Sequence, residues 1–170
     1  MLMTLEALKD VVSLNPFGRL ELLEAALSDT EYIAEDPFLT PSQKRLRTLE
    51  HINLVNMGSM VFSTLVSNYL CDRCFELGQA TLSLLKSDLI ATQTLSKFAE
   101  QLNFRELCCL GTNYTYKPEH EQKKILAQNL EAVVGAVYLE FNRDICRTQT
   151  WLREYFLQEA VDDLLVEREN

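Results

Sequence analysis

The sequence has few chain breakers. Five glycines and four prolines interrupt 170 residues, and that scarcity argues against a fold of many short strands joined by turns. No run of about 18 apolar residues occurs, so no transmembrane helix is predicted. The two histidines, His51 and His120, have no serine or cysteine partner in a recognisable arrangement. There is no Gly-rich phosphate loop, no G-x-S-x-G and no H-E-x-x-H, which argues against P-loop, serine-hydrolase and zinc-protease chemistry.

Five cysteines, an odd number, show no disulfide-framework spacing and read as reduced thiols of an intracellular protein. Cys71 and Cys74 make the only C-x-x-C. Zinc needs four ligands, and no second pair supplies them, so these thiols read as helix packing. Positive charge is also in deficit. Sixteen basic residues face 25 acidic ones, a net charge of −9, which opposes non-specific binding to a polyanion and leaves only a local basic patch for RNA. Residues 1–15 carry Glu6 and Asp10 and no arginine. They look like neither a secretory nor a mitochondrial leader.

What the chain does have is apolar periodicity. Hydrophobic residues make up 47%, enough for one domain, 1–170, with a real core. The spacing predicts helices over Thr4 to Val12 and Gly18 to Ser28, a loop at Glu35-Asp36-Pro37, and a helix start at Thr40. Thr40 can cap, Pro41 suits the first helical position and Gln43 can close a capping box. A polar helix from Ser42 to His51 would follow, with Lys44, Arg45 and Arg47 exposed as a candidate RNA contact. Leu54 to Leu70 is apolar nearly all round and reads as the buried central helix. Further helices are predicted over 77–85, 92–102 and 104–110, then a loop over 111–120. Lys123 to Phe141 reads as a second long helix, and Cys146 to Val166 as the last.

Within that frame, Leu22 to Tyr32 (LLEAALSDTEY) resembles the L-L-x-x-A-L-T-H-x-S-Y opening of the ribonuclease III family. Leu82 to Thr92 (LSLLKSDLIAT) is similar to its L-S-x-L-R-A-x-L-V-S-N. Ile125 to Leu139 (ILAQNLEAVVGAVYL) looks like I-L-A-D-A-L-E-A-V-I-G-A-I-Y-L and keeps Glu131, Gly135 and Tyr138 in register. Val66 to Leu70 (VSNYL) resembles V-S-E-Y-L, and so places the family signature E-R-L-E-F-L-G-D-A-V-L on Ile52 to Phe62 (INLVNMGSMVF). An alternative register puts Glu50 on the signature at the expense of its Gly and Asp.

The resemblance implies an all-α ribonuclease III-type endonuclease domain, with its core at about 17–166 and no double-stranded-RNA-binding domain. It also implies where the chemistry would sit. Four acids on two helices, one pair at i, i+4 and one at i, i+3, hold divalent ions that activate water against the phosphates of double-stranded RNA. Here those positions read Val55, Ser59, Gln128 and Glu131. The expectation is therefore a degenerate site without catalytic residues or cofactor. The chain would be a non-enzymatic pseudoenzyme in a ribonucleoprotein, best matched to the large subunit of the mitochondrial ribosome. The alternative is a Mg-dependent double-stranded-RNA endoribonuclease completed by a partner chain. Family members dimerise through the signature helix, which makes Asn56, Met57, Met60 and Val61 the expected interface. Asn56 replaces a buried aromatic there, so a different ribonuclease III-like chain is the expected partner rather than a second copy. Structured RNA and other ribonucleoprotein subunits are further expected partners, and a membrane is not.

Overall fold

The computed structural model describes residues 17–169, with side-chain surroundings for 17–166. The helix expected over Thr4 to Val12 lies outside the described residues.

Helix α1, Leu20–Leu27, buries Leu23, Ala26 and Leu27. A six-residue helix, α2, Thr30–Glu35, then forms where none was expected. It starts because the Asp29 carboxylate accepts a hydrogen bond from the Glu31 N–H, a short-range cap that apolar periodicity does not show. Helix α3, Pro41–Arg73, runs for 33 residues. Its start is as expected: the Thr40 side chain accepts from the Gln43 N–H, and Gln43 answers with its carboxamide to the Thr40 N–H. The two helices expected on either side of Ile52-Asn53 are one. Neither residue is a breaker, and a helix that has already nucleated propagates through a weak former at little cost.

Helices α4 (Gln79–Leu89), α5 (Thr92–Gln101) and α6 (Phe104–Leu107) follow. Helix α6 is shorter than expected. Cys109 leaves it to hydrogen-bond in an extended bridge, its N–H to the Leu27 carbonyl at 2.8 Å and its carbonyl to the Asp29 N–H at 3.0 Å. A single 3₁₀ turn, Tyr114–Tyr116, leads to α7, Glu119–Glu140. Helix α7 begins a turn earlier than expected because Glu119 and Glu121 sit at its positive end. Helix α8, Ile145–Leu152, passes through a π turn at Arg153–Leu157 into α9, Gln158–Glu169. Among the described residues there is no strand, and no helix is long and apolar enough to cross a membrane.

Helix α7 is the hub. Its 126–137 stretch is almost wholly buried, and α3, α5 and α1 all pack on it. The other half of the core is the inner face of α3: Leu54, Val61, Phe62, Leu65, Val66, Tyr69 and Leu70. The outer face of α3 is uncovered. Met60 is 71% exposed, Leu46 58% and Leu49 46%, and Asn53 and Asn56 are exposed between them. These five recur at heptad-like spacing along one side of the helix.

Candidate functional site

The two long helices meet backbone to backbone. A Cβ on Gly58 would overlap the Glu131 carbonyl oxygen, and one on Gly135 would overlap the Leu54 carbonyl oxygen. Glycine at both positions is what lets α3 and α7 come this close. The pairing of 54 with 135 and of 58 with 131 makes the helices antiparallel.

The crossing fixes the four positions singled out by sequence. Ser59 follows Gly58 on α3, which brings it alongside Glu131. Val55 lies one turn back along α3, partly buried against the core. Gln128 lies one turn back along α7, on the side of the crossing toward Phe62, by the same antiparallel register. Burial pushes the Glu131 carboxyl above its usual range, and the Ser59 hydroxyl pulls it partly back. Among the described residues no cation pairs with Glu131.

These residues do not fit a magnesium site. Magnesium holds an octahedron of hard, mostly charged oxygens and gives up its water reluctantly. Valine offers no donor atom, and the serine and glutamine oxygens are neutral. Among the described residues, no group of three or more His, Cys, Asp or Glu could hold a metal ion.

The expected interface residues separate. Asn56 and Met60 are exposed and Met57 is half-buried. Val61 is a correction: it is 8% exposed and belongs to the chain's own core, because it lies on the α7 side of α3. Met57 also lines an apolar hollow with Leu22, Ala25, Leu54 and Leu139. Sequence reasoning missed this hollow because its walls come from α1, α3 and α7, far apart along the chain. The expected RNA contacts are mostly occupied. Lys44 gives its ammonium to the Ala34 carbonyl, and Arg47 pairs with Glu24 at 3.5 Å. Arg45 is exposed with no ion pair among the described residues.

His51 is only 4% exposed. It keys α3 to α1 through a 3.0 Å hydrogen bond between Nδ1 and the Ala25 carbonyl. Burial lowers its pKa, which the Ala25 carbonyl and the Asp29 carboxylate partly oppose. The C-x-x-C divides at the end of α3: Cys71 is exposed, Cys74 is buried, and both are free.

The all-helical fold is similar to that of solved ribonuclease III nuclease domains. One such domain, from Campylobacter jejuni, superposes with a TM-score of 0.66, covering 89% of this chain and 97% of that one at 22% identity. That structure is described as having flexibility in a region involved in dimer formation. The ribonuclease-III-like family profile matches residues 21–159, and the chain belongs to that family.

Ribonuclease 3 of Ligilactobacillus salivarius is 27% identical over 128 residues, 75% of this chain and 53% of that protein. Ribonuclease 3 of Syntrophobacter fumaroxidans is 29% identical over 140 residues, 82% of this chain and 54% of that protein. The chain spans about half the length of these relatives. The expectation that it is no enzyme is overturned here, because the proteins it resembles are named ribonucleases.

Proposed function

We propose that the chain is one subunit of a ribonuclease III-type endoribonuclease for double-stranded RNA, completed by a second ribonuclease III-like chain that carries the metal-binding acids. One observation carries this reading. The chain keeps the family's helix crossing, with Glu131 at an acid position, yet it leaves the outer face of α3 uncovered. An apolar stripe of Leu46, Leu49 and Met60 on the solvent-facing side of α3 is costly to leave in water and suits a partner helix.

Magnesium in such an assembly supplies Lewis acidity and a lowered water pKa at the partner's acids. The present chain would cover one side of the duplex, with Arg45 free to meet a phosphate. Neither the fold nor the comparisons support a ribosomal place or a mitochondrial location.

The test is cleavage of long duplex RNA with Mg²⁺, first by the isolated chain and then by the complex purified from its native source. The isolated chain is expected to be inactive and the complex active. A native complex that leaves duplex RNA intact would refute the reading, as would full activity of the isolated chain.

A further inference from the structure

We propose that the hollow between α1, α3 and α7 receives one long basic side chain, an arginine or a lysine, from the second chain, and that this contact selects the partner by charge. The inference rests on the reading above, in which a second chain covers the outer face of α3.

The hollow holds about 250 Å³ and lies beside that face, with exposed Asn53 common to both. Its floor is apolar, made by Leu22, Ala25, Leu54, Met57 and Leu139. Its mouth is acidic, because Glu21 and Glu50 also line it and both are exposed. Among the described residues neither carboxylate has an ion pair.

These two layers set the chemistry of the occupant. An apolar side chain would fill the floor but strip water from two unpaired carboxylates. A phosphate would be repelled by them. An aliphatic stem with a cationic head suits both layers, the stem against the floor and the head at the carboxylates. The chain itself shows how a cation is held here. The hollow shares Glu21, Ala25 and Glu50 with a neighbouring cleft, and there Arg47 reaches Glu24 at 3.5 Å.

A second copy does not supply the missing cation. From Leu46 to Met60, apart from buried His51, α3 carries one basic residue, Arg47, and Glu24 already holds it. Pairing two such faces would bring the carboxylates of both copies to one interface. The complementary chain is therefore a different one, with a lysine or arginine opposite the hollow.

The experiment follows the isotope-labelled methionine methyls of the purified full chain by NMR while butylguanidinium, an aliphatic stem with a guanidinium head, is added. Met57 lines the hollow and is expected to shift to saturation. Met60, outside it on the same helix, is expected to stay. Glu21→Gln/Glu50→Gln changes two exposed side chains without changing their shape, and is expected to bind the probe about tenfold more weakly. High salt is expected to weaken binding to wild type and to leave the variant unchanged. The partner purified from the native complex is then titrated into both proteins, and a loss of about tenfold is expected for the variant there too.

The absence of a saturable Met57 shift would overturn the proposal. So would equal binding of pentanol or butylsulfonate, which would make the hollow a site for apolar groups without regard to charge. A Met57 shift that grows with the concentration of the chain itself, or on adding short duplex RNA, would give the hollow to a second copy or to nucleic acid and overturn it as well. Equal affinity of the partner for wild type and variant would sink this inference alone. A native complex that leaves duplex RNA intact would sink the proposed function alone.

Discussion

Gly58 rests on the main chain of Glu131, and a single methyl group at position 58 would overlap the Glu131 carbonyl oxygen. Backbone cannot rotate away as a side chain can, so the helices would have to part. Gly58→Ala is expected to destabilise the chain by about 3 kcal/mol, the upper end of overpacking costs. Helix propensity alone favours alanine by about 1 kcal/mol, so the sign of the effect decides. Urea unfolding measures it, and a more stable Gly58→Ala variant would mean that the helices do not touch there.

Glu131 is retained at a cost. Burial raises its carboxyl pKa, and the neighbouring Ser59 hydroxyl opposes that only in part. The folded state therefore holds the proton more tightly than the unfolded state does. That contribution to stability is full below the usual carboxylate range and is lost as pH rises through the raised folded value. Glu131→Gln keeps the shape and removes the charge. It is expected to stabilise the chain at pH 7 by roughly 0.5–1 kcal/mol, discounted for partial solvent screening, with the gain vanishing near pH 4. Equal melting temperatures for the two proteins at pH 7 would count against a strained carboxylate.

The helical class, most of α7, the apolar stretch of α3 and the capping box at Thr40 were legible in the sequence, because apolar periodicity and cap chemistry are local. Lost from view were features set by contacts between distant segments. Cys109 ends α6 early because Leu27 and Asp29 offer it hydrogen bonds. His51 lies in the same turn as exposed Arg47 and Glu50, and only the approach of Ala25 from α1 buries it. Val61 could be placed on neither face without knowing where α7 lies. The spacing 55/59 and 128/131 gave the positions at the crossing, but not what holds the helices there. That depends on Gly58 and Gly135 acting together, a relationship between residues 77 apart.

His51 makes the α1–α3 contact sensitive to acid. The groups around its ring are the Ala25 carbonyl and the more distant Asp29 carboxylate, and desolvation outweighs both, so its folded pKa lies below the usual value. A base with a lowered folded pKa contributes stability that is present above its unfolded pKa of about 6.5 and is lost as pH falls toward the folded value. The melting temperature is expected to fall between pH 7.5 and pH 5.5, by an amount equivalent to about 1 kcal/mol. His51→Gln, which keeps a donor for the Ala25 carbonyl and cannot titrate, is expected to be flat over that range. The same slope in both proteins would assign the acid sensitivity to another group.

The last expectation concerns the outer face of α3. Asn53 and Asn56 lie in the middle of the stripe of Leu46, Leu49 and Met60, all of it exposed. A carboxamide buried in an interface without a partner costs roughly 1–3 kcal/mol, and the gain from burying an aromatic in its place, also about 1.5–3 kcal/mol, is forgone. Two-fold symmetry would apply the penalty twice in a dimer of identical chains. Self-association is therefore expected to be weak, with the tight partner being a chain that offers the amides hydrogen-bond acceptors. Asn56→Phe should strengthen the homodimer by about tenfold or more, because each added aromatic contributes more than 1.4 kcal/mol. Sedimentation velocity over a concentration series reads this directly. A wild-type dimer that persists at nanomolar concentration would rule out the preference for a different chain. An Asn56→Phe variant no tighter than wild type would place the docking surface elsewhere than on this face of α3.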